Sequence, residues 1–387
     1  MAAPTERRNA LLMVADDLGL MLGCYGLGAI RTPRVDQLAA QGTRFTNAFA
    51  STASCSGSRS AICTGLHTHQ NGQCGLQQGW CHFETHEHIE TAPRVFNSLG
   101  YQTGILGKVH PGPREVYPWE WYRPSLSRDV RQNAAEAARF FDKAAETGRL
   151  FHLIVGLQDP HRDETVLDYK AADVEIPPFI GAVPELRTEL AEYYKPISRM
   201  GLGVGLILGE LAKRGLDRNT LVSFVSDNGS RSSTPKPRYT TPAILPTCIE
   251  WADVQDSDVK TSNTGKSPPR KGTSFLRVLG DSNALPSETW THHVFGSHTF
   301  HEQQNYWSTR FVLNHGCGRG LEDWQYETED PWLFRDGVSV MTTHAAQKLG
   351  MRLPDRFDID PKNAGSSAGP HWAPRSAKSS AGSMEFG

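Results

Sequence analysis

A chain of 387 residues, 38% of them hydrophobic, is long enough for one large α/β domain with a smaller appendage and has the balance of a globular protein. Its 40 Lys and Arg against 42 Asp and Glu leave a net charge of −2, with no long basic run. That excludes nucleic acid as an expected partner and requires any cationic surface to be local.

The N-terminal residues run almost directly into Ala10–Ala15, an apolar run that predicts a fully buried strand ending in Asp16-Asp17. No apolar segment precedes it, so the sequence as written has no signal peptide and is expected in the cytoplasm. No apolar stretch is long enough to cross a bilayer, so no membrane partner is expected. Thr32-Pro33 and Gly42 bracket a predicted helix over Pro33–Gln41. Arg44–Ala50 alternates as a strand, and a Ser/Thr-rich loop then leads to Cys55-Ser-Gly-Ser-Arg59 at a helix start. Four residues apart on one helical face, Arg59 reaches the position of Cys55. The first-turn N–H groups would point at an anion bound there.

Further along, a helix near Pro93–Leu99 feeds a strand over Tyr101–Leu106 that ends in Gly107-Lys108-Val109-His110. Val130–Thr147 is a predicted helix. Leu150–Gly156 is a strand ending in Gln158-Asp159-Pro160-His161-Arg162. Pro184–Arg214 is a long helix containing Gly201, Gly203 and Gly205, which is no dinucleotide fingerprint because it does not follow a strand. Thr220–Val225 is a strand ending in Ser226-Asp227-Asn228, Ile244–Val254 a helix, and Gln255–Gly272 a loop. Strands within Val294–Asn314 suggest a second, smaller part, and the Ser-, Gly-, Ala- and Pro-rich 360–387 an unstructured tail.

Strands alternating with helices predict an α/β fold, a mostly parallel doubly wound sheet with helices on both faces. Ligands of such sheets bind beyond the carboxyl ends of the strands. Four polar clusters (Asp16/Asp17, Lys108/His110, Asp159/His161 and Asp227/Asn228) each follow a predicted strand directly, so all four fall on one rim. Adjacent carboxylates repel unless a cation neutralises them, and hard oxygen ligands select calcium, or less readily magnesium. Asp227-Asn228-Gly229 alone fits a turn as well; its company on the rim favours the metal. Taken singly, His110, His161 and Lys108 fit structural or solvated roles better, and their shared place on the rim brings the functional role level with these. The seven cysteines form no regular framework, and the spacing of Cys55, Cys63, Cys74 and Cys81 has no CxxC pair for zinc. Cysteine, arginine and hard oxygen ligands together point to hydrolysis of an anionic ester or amide at a divalent metal.

These residues resemble the sulfatase family, an alkaline-phosphatase-like superfold. The likeness is carried by Arg8–Asp17, Ser54-Cys-Ser-Gly-Ser-Arg-Ser60, Thr64-Gly-Leu-His67, His69-Gln-Asn-Gly72, Thr103–His110, Asp159–Arg162 and Ser226–Gly229. Val294–His298, His301-Glu302 and Glu327–Trp332 resemble its sulfamidase branch. The resemblance implies a hydrolase of sulfate esters or sulfamates acting on a sulfated, N-sulfated glycosaminoglycan-type sugar. Cys55 would be converted to formylglycine by a cysteine-oxidising enzyme. Asp16, Asp17, Asp227, Asn228 and the modified Cys55 would hold calcium. Arg59 would steady the nucleophile, Lys108 bind sulfate oxygens, His110 support the nucleophile and His161 protonate the leaving atom. Arg162, His298, His301 and Glu302 would contact the sugar, and a homodimer is compatible with the family.

The same resemblance divides the chain into a catalytic domain (1–255), a loop (256–272), a truncated C-terminal α+β part (273–359) and the tail. Three features depart from the family pattern. Position 57 is Gly, where Pro or Ala is usual. Only Ser230–Thr241, with Arg231, Lys236 and Arg238, stands where a longer segment carries a basic sulfate ligand. The join near Asn314–Leu321 is short. Two other readings stay open: a phosphoesterase or phosphonate hydrolase of the same superfold, and a catalytically incomplete product.

Overall fold

The computed structural model describes residues 8–280, apart from 46–47, 53, 78–82, 162–167, 177–183 and 229–238, together with five short strands beyond them. In chain order the main elements are β1 (Asn9–Ala15), α1 (Pro33–Gln41), β2 (Ala48–Phe49), α2 (Cys55–Thr64), α3 (Thr68–Asn71), α4 (Ala92–Ser98) and β3 (Gln102–Gly107). There follow β4 (Trp121–Pro124), α5 (Val130–Thr147), β5 (Phe151–Gly156), α6 (Pro184–Lys213), β6 (Thr220–Ser226), β7 (Tyr239–Thr240), α7 (Ile244–Trp251) and α8 (Leu276–Gly280).

β1 is buried along its whole length, as an apolar run must be when both faces of a sheet are covered. Its side chains alternate between two cores. Leu11, Met13 and Ala15 join Phe140 and Phe141 of α5 and Ile197, Met200 and Val204 of α6. Ala10, Leu12 and Val14 join Ile62 of α2, Val95 and Phe96 of α4 and Leu245 and Ile249 of α7. The result is the expected sheet between two helical layers.

The sheet is five-stranded in the order β4-β3-β5-β1-β6, parallel throughout. Its register decides where the chemistry goes. Gly107 lies opposite Gly156, Gly156 opposite Val14, and Ala15 opposite Ser226. Four strands therefore stop at one level, and the residues that follow them leave the sheet side by side. Backbone bonds extend the alignment one step further: Lys108 N donates to Gly156 O at 2.8 Å, Leu157 N to Val14 O at 2.8 Å and Asp227 N to Ala15 O at 2.9 Å.

Most expected elements lie where the sequence puts them, with α1 and α5 matching to the residue. The Asp129 carboxylate caps α5, accepting from Arg131 N at 2.9 Å and Gln132 N at 3.3 Å. Thr32 does not cap α1; its hydroxyl instead accepts from Gly23 N and donates to Asp36. Of the strand expected over Arg44–Ala50, the structure forms Ala48–Phe49, paired with β7 outside the main sheet. Without a wide sheet to join, alternation alone extends no further. Helix α7 stops at Trp251, short of Val254, and one 3₁₀ turn (Asp256–Asp258) interrupts the expected loop.

The Gly-x-Gly-x-Gly stretch is a packing notch in α6. A Cβ on Gly203 would sit 2.8 Å from Val130 Cγ1, and one on Gly205 2.5 Å from Arg34 Cγ. The remaining strands pair among themselves as β8 (Tyr306–Ser308) with β9 (Trp332–Arg335), β9 with β10 (Val338–Thr342), and β11 (Phe357–Ile359) with β12 (Trp372–Pro374). β12 falls inside the segment expected to be unstructured; the aromatic residue that opens it favours extended backbone locally.

One buried side chain makes the fold acid-sensitive. His152, on β5, stacks against Phe96 (4.3 Å between centroids) and Trp119 (5.9 Å). Burial lowers its pKa to about 3, so the fold holds it neutral. Because the unfolded chain binds the proton first, this contribution is intact above about pH 6.5 and is lost as pH falls towards 3. His152→Phe is expected to shrink the stability difference between pH 7.5 and pH 5 by about 2 kcal/mol, measured by urea unfolding at both pH values.

Candidate active site

The rim brings together the residues that follow β1, β3 and β6 and the first turn of α2. The ligand atoms of Asp16, Asp17 and Cys55 all lie within 4.8 Å of one another, with Cys55 Sγ 3.8 Å from Asp17 Oδ1. Asp17 takes a left-handed backbone, φ 60°, which a non-glycine residue holds only when its surroundings fix it. They do: Asp17 N donates to Asp227 Oδ1 at 3.0 Å, and the Tyr193 hydroxyl of α6 donates to Asp17 O. Ser226 Oγ accepts from Leu18 N and Gly19 N, closing the turn.

Beneath this turn lie two buried cations. Arg59, 4% exposed, donates through Nε to Asp227 Oδ2 at 2.8 Å, approaches Asp16 Oδ1 at 3.6 Å and donates through Nη1 to Lys108 O at 3.1 Å. Lys108, 2% exposed, pairs with Asp16 Oδ2. Gly156 makes room for both: a Cβ there would fall 1.9 Å from Lys108 O and 2.9 Å from Arg59 Nη1.

The carboxylates remain too many for their partners. Asp227 is pushed up to about 7, first by burial and then by the Asp16 carboxylate beside it. Asp16 Oδ1 is buried and accepts no hydrogen bond among the described residues. Three acids with two cations and one acid oxygen idle, with Cys55 Sγ the one soft donor beside hard carboxylate oxygens, fit a divalent cation such as calcium. The Cys55 thiol is pushed well above its ordinary range by enclosure and by Asp16. As a plain cysteine it is a thiol, not a thiolate, and so a weak nucleophile.

Asn228 follows Asp227 and donates its side-chain amide to Asp227 Oδ1 at 3.0 Å. Both Asp227 oxygens are therefore engaged by N–H donors, whereas Asp17 Oδ1 faces Cys55 Sγ. His110 is left-handed as well, φ 61°. Burial and then the charges of Lys108 and Arg59 hold it down at about 2, hence neutral. The Nδ1 atoms of His110 and His161 are both buried without a hydrogen bond among the described residues. Arg162, His298, His301, Glu302, Arg231, Lys236 and Arg238 lie outside the described residues. Gly57 suits its surroundings, since a Cβ would meet Thr52 Cγ2 at 2.7 Å and Gln73 O at 3.2 Å.

Sequence reasoning missed Tyr193, Arg128 and Arg199. Arg199 grips Asp159 through Nε (2.6 Å) and Nη2 (2.8 Å), and Arg128 also pairs with Asp159. Tyr193 and Arg199 lie within α6 and Arg128 just ahead of α5, and no local sequence signal marks them. An open cleft of about 530 Å³ lined by His67, His69, Gln70 and Arg270–Thr273 lies at the opposite end of α2 from Cys55.

A parallel sheet between helices, with carboxylates, arginine and lysine gathered beyond its strand ends, has the alkaline-phosphatase-like fold. A solved structure from a glycosaminoglycan-metabolism locus of Bacteroides thetaiotaomicron matches it with a TM-score of 0.61 at 16% identity, covering 73% of this chain and 79% of that one. The phosphonate monoester hydrolase of Agrobacterium radiobacter matches with a TM-score of 0.59 at 15% identity, covering 86% and 88%. The sulfatase family model matches residues 8–264, and the chain belongs to the sulfatase family. The human N-sulphoglucosamine sulphohydrolase is 38% identical over 253 residues, which are 57% of this chain and 50% of that protein. The chain spans about half the length of the curated relatives it matches.

Proposed function

We propose that the chain hydrolyses a sulfate ester or sulfamate, releasing sulfate from a sulfated sugar of the N-sulfated class. The observation that carries the reading is the placing of Cys55, at the start of α2, against Asp16 and Asp17 with all three ligand atoms within 4.8 Å. Identity to a sulphohydrolase of N-sulphoglucosamine supports the substrate class.

Asp16, Asp17, Asp227 and Asn228 would hold calcium, which supplies Lewis-acid polarisation of sulfate oxygens. A formylglycine made from Cys55 by a cysteine-oxidising partner enzyme supplies an oxygen nucleophile in place of the thiol. Charge counting favours the pairing. Three carboxylates with Arg59 and Lys108 leave an excess negative charge that repels a sulfate ester, and a divalent cation reverses its sign. Arg59 then fixes Asp227 and backs the nucleophile, while Lys108 sits where it can share its charge between Asp16 and a sulfate oxygen. Neutral His110 would support the nucleophile, and His161 is the donor to the leaving oxygen or nitrogen.

The test is a paired substrate panel with calcium present, preceded by the peptide mass across Cys55. The expected result is a residue that has exchanged its thiol for an aldehyde, with sulfate released from N-sulfated glucosamine and no comparable phosphate from a phosphate monoester. Phosphate release without sulfate release would replace this reading with the phosphoesterase one. Calcium-dependent melting with an unmodified Cys55 and no turnover would mark an incomplete enzyme.

A further inference from the structure

Asp159 is held by two arginines that come from separate elements. The carboxylate is 3% exposed, and both oxygens are gripped by Arg199 of α6 and one of them also by Arg128, just ahead of α5. A single carboxylate needs one cation. Two guanidiniums on separate elements serve geometry: their planar forks fix its position against both helices at once.

What that position controls is visible in the backbone. Asp159 O accepts from Asp16 N at 3.2 Å, tying the loop to the metal-binding turn. Arg128 Nη2 donates to His161 O at 2.9 Å, and His161 N donates to Gln158 O at 3.1 Å. A histidine that moves protons is ordinarily oriented by a hydrogen bond to its second ring nitrogen. His161 Nδ1 is buried and has none among the described residues. Its orientation must come from the backbone that carries it.

Resting on the proposed sulfohydrolase reading, we propose that Arg128 and Arg199 are positioning residues for proton delivery, holding the Asp159–His161 loop so that the His161 ring faces the leaving atom. In that step the S–O or S–N bond breaks, its electron pair stays on the leaving oxygen or nitrogen, and that atom takes the proton from His161. Sulfur remains bonded to the attacking oxygen. The contribution of the two arginines therefore scales with how much the leaving group needs a proton.

The experiment compares parent, Arg199→Met, Arg199→Lys and Arg128→Gln on N-sulfoglucosamine, a poor leaving group, and on 4-nitrophenyl sulfate, which departs as phenolate. Arg199→Met is expected to lose roughly 100-fold in kcat on the sulfamate and less than about 5-fold on the aryl sulfate, with Arg199→Lys between it and the parent. Equal losses on both substrates, or no loss on the sulfamate, would overturn the proposal. Hydrogen exchange of the Asp159–His161 amides gives a readout free of turnover. Exchange must rise in Arg199→Met and Arg128→Gln while β5 stays protected, and unchanged exchange also overturns the proposal. A parent that releases sulfate from neither substrate refutes the sulfohydrolase reading, and the exchange result then decides the clamp separately.

Discussion

Replacing Cys55 by alanine is expected to lower sulfate release by roughly 10⁴-fold or more while leaving the fold intact. The expectation follows from position. Cys55 opens α2 against the carboxylates of Asp16 and Asp17. Its thiol is raised well above the ordinary range by enclosure and by Asp16, so the unmodified residue would contribute little attack of its own. Its side-chain hydrogen bond among the described residues is one long S–H to Asp17 Oδ1, whose loss costs less than about 1 kcal/mol. Sulfate detection and a melting curve on the same sample check both halves. Turnover at the parent rate would show that the chemistry runs through some other group.

Arg59→Met is expected to carry the largest penalty in stability, about 3–5 kcal/mol in calcium-free buffer. Methionine keeps much of the volume but removes the charge that joins Asp227 at 2.8 Å and Asp16 at 3.6 Å. Burial, and then the Asp16 carboxylate, already push Asp227 up to about 7 with Arg59 in place. With Lys108 left as the only buried cation beside them among the described residues, one acid must take up a proton or the pocket must open. Added calcium is expected to recover more stability in the variant than in the parent, because it replaces the missing charge. Urea unfolding with and without calcium checks this. Equal calcium increments in both proteins would mean that the acids do not share one cation site.

The fold was legible because its strands are written as continuous apolar runs that stop at polar residues. Ala10–Ala15 ending in Asp16 and Thr220–Val225 ending in Ser226-Asp227 needed no tertiary information, and the convergence of their ends followed from parallel pairing. Trp121–Pro124 was not legible: four residues set among prolines carry no alternation, and they form a strand only because β3 offers an edge. The site was legible in its charges but not in its supports. Acids after strands announce themselves by position. Tyr193 and Arg199 sit within a thirty-residue helix, and nothing local separates a half-buried, tethered arginine from a solvated one. Gly203 shows the reverse case, a conspicuous motif whose cause is the approach of Val130.

The sheet order also sets a timetable. β6 pairs along its whole length with β1, although more than two hundred residues of chain separate them. A ribosome that has delivered β1, α2, β3 and β5 has made Asp16, Cys55, Arg59 and Lys108, yet Arg59 still lacks Asp227, and Asp17 N lacks its acceptor. Non-local closure of this kind is slow and late. The assembled pocket is therefore the last product of synthesis through residue 228, and a nascent chain stopped before Thr220 would lose a sheet edge and the pocket together.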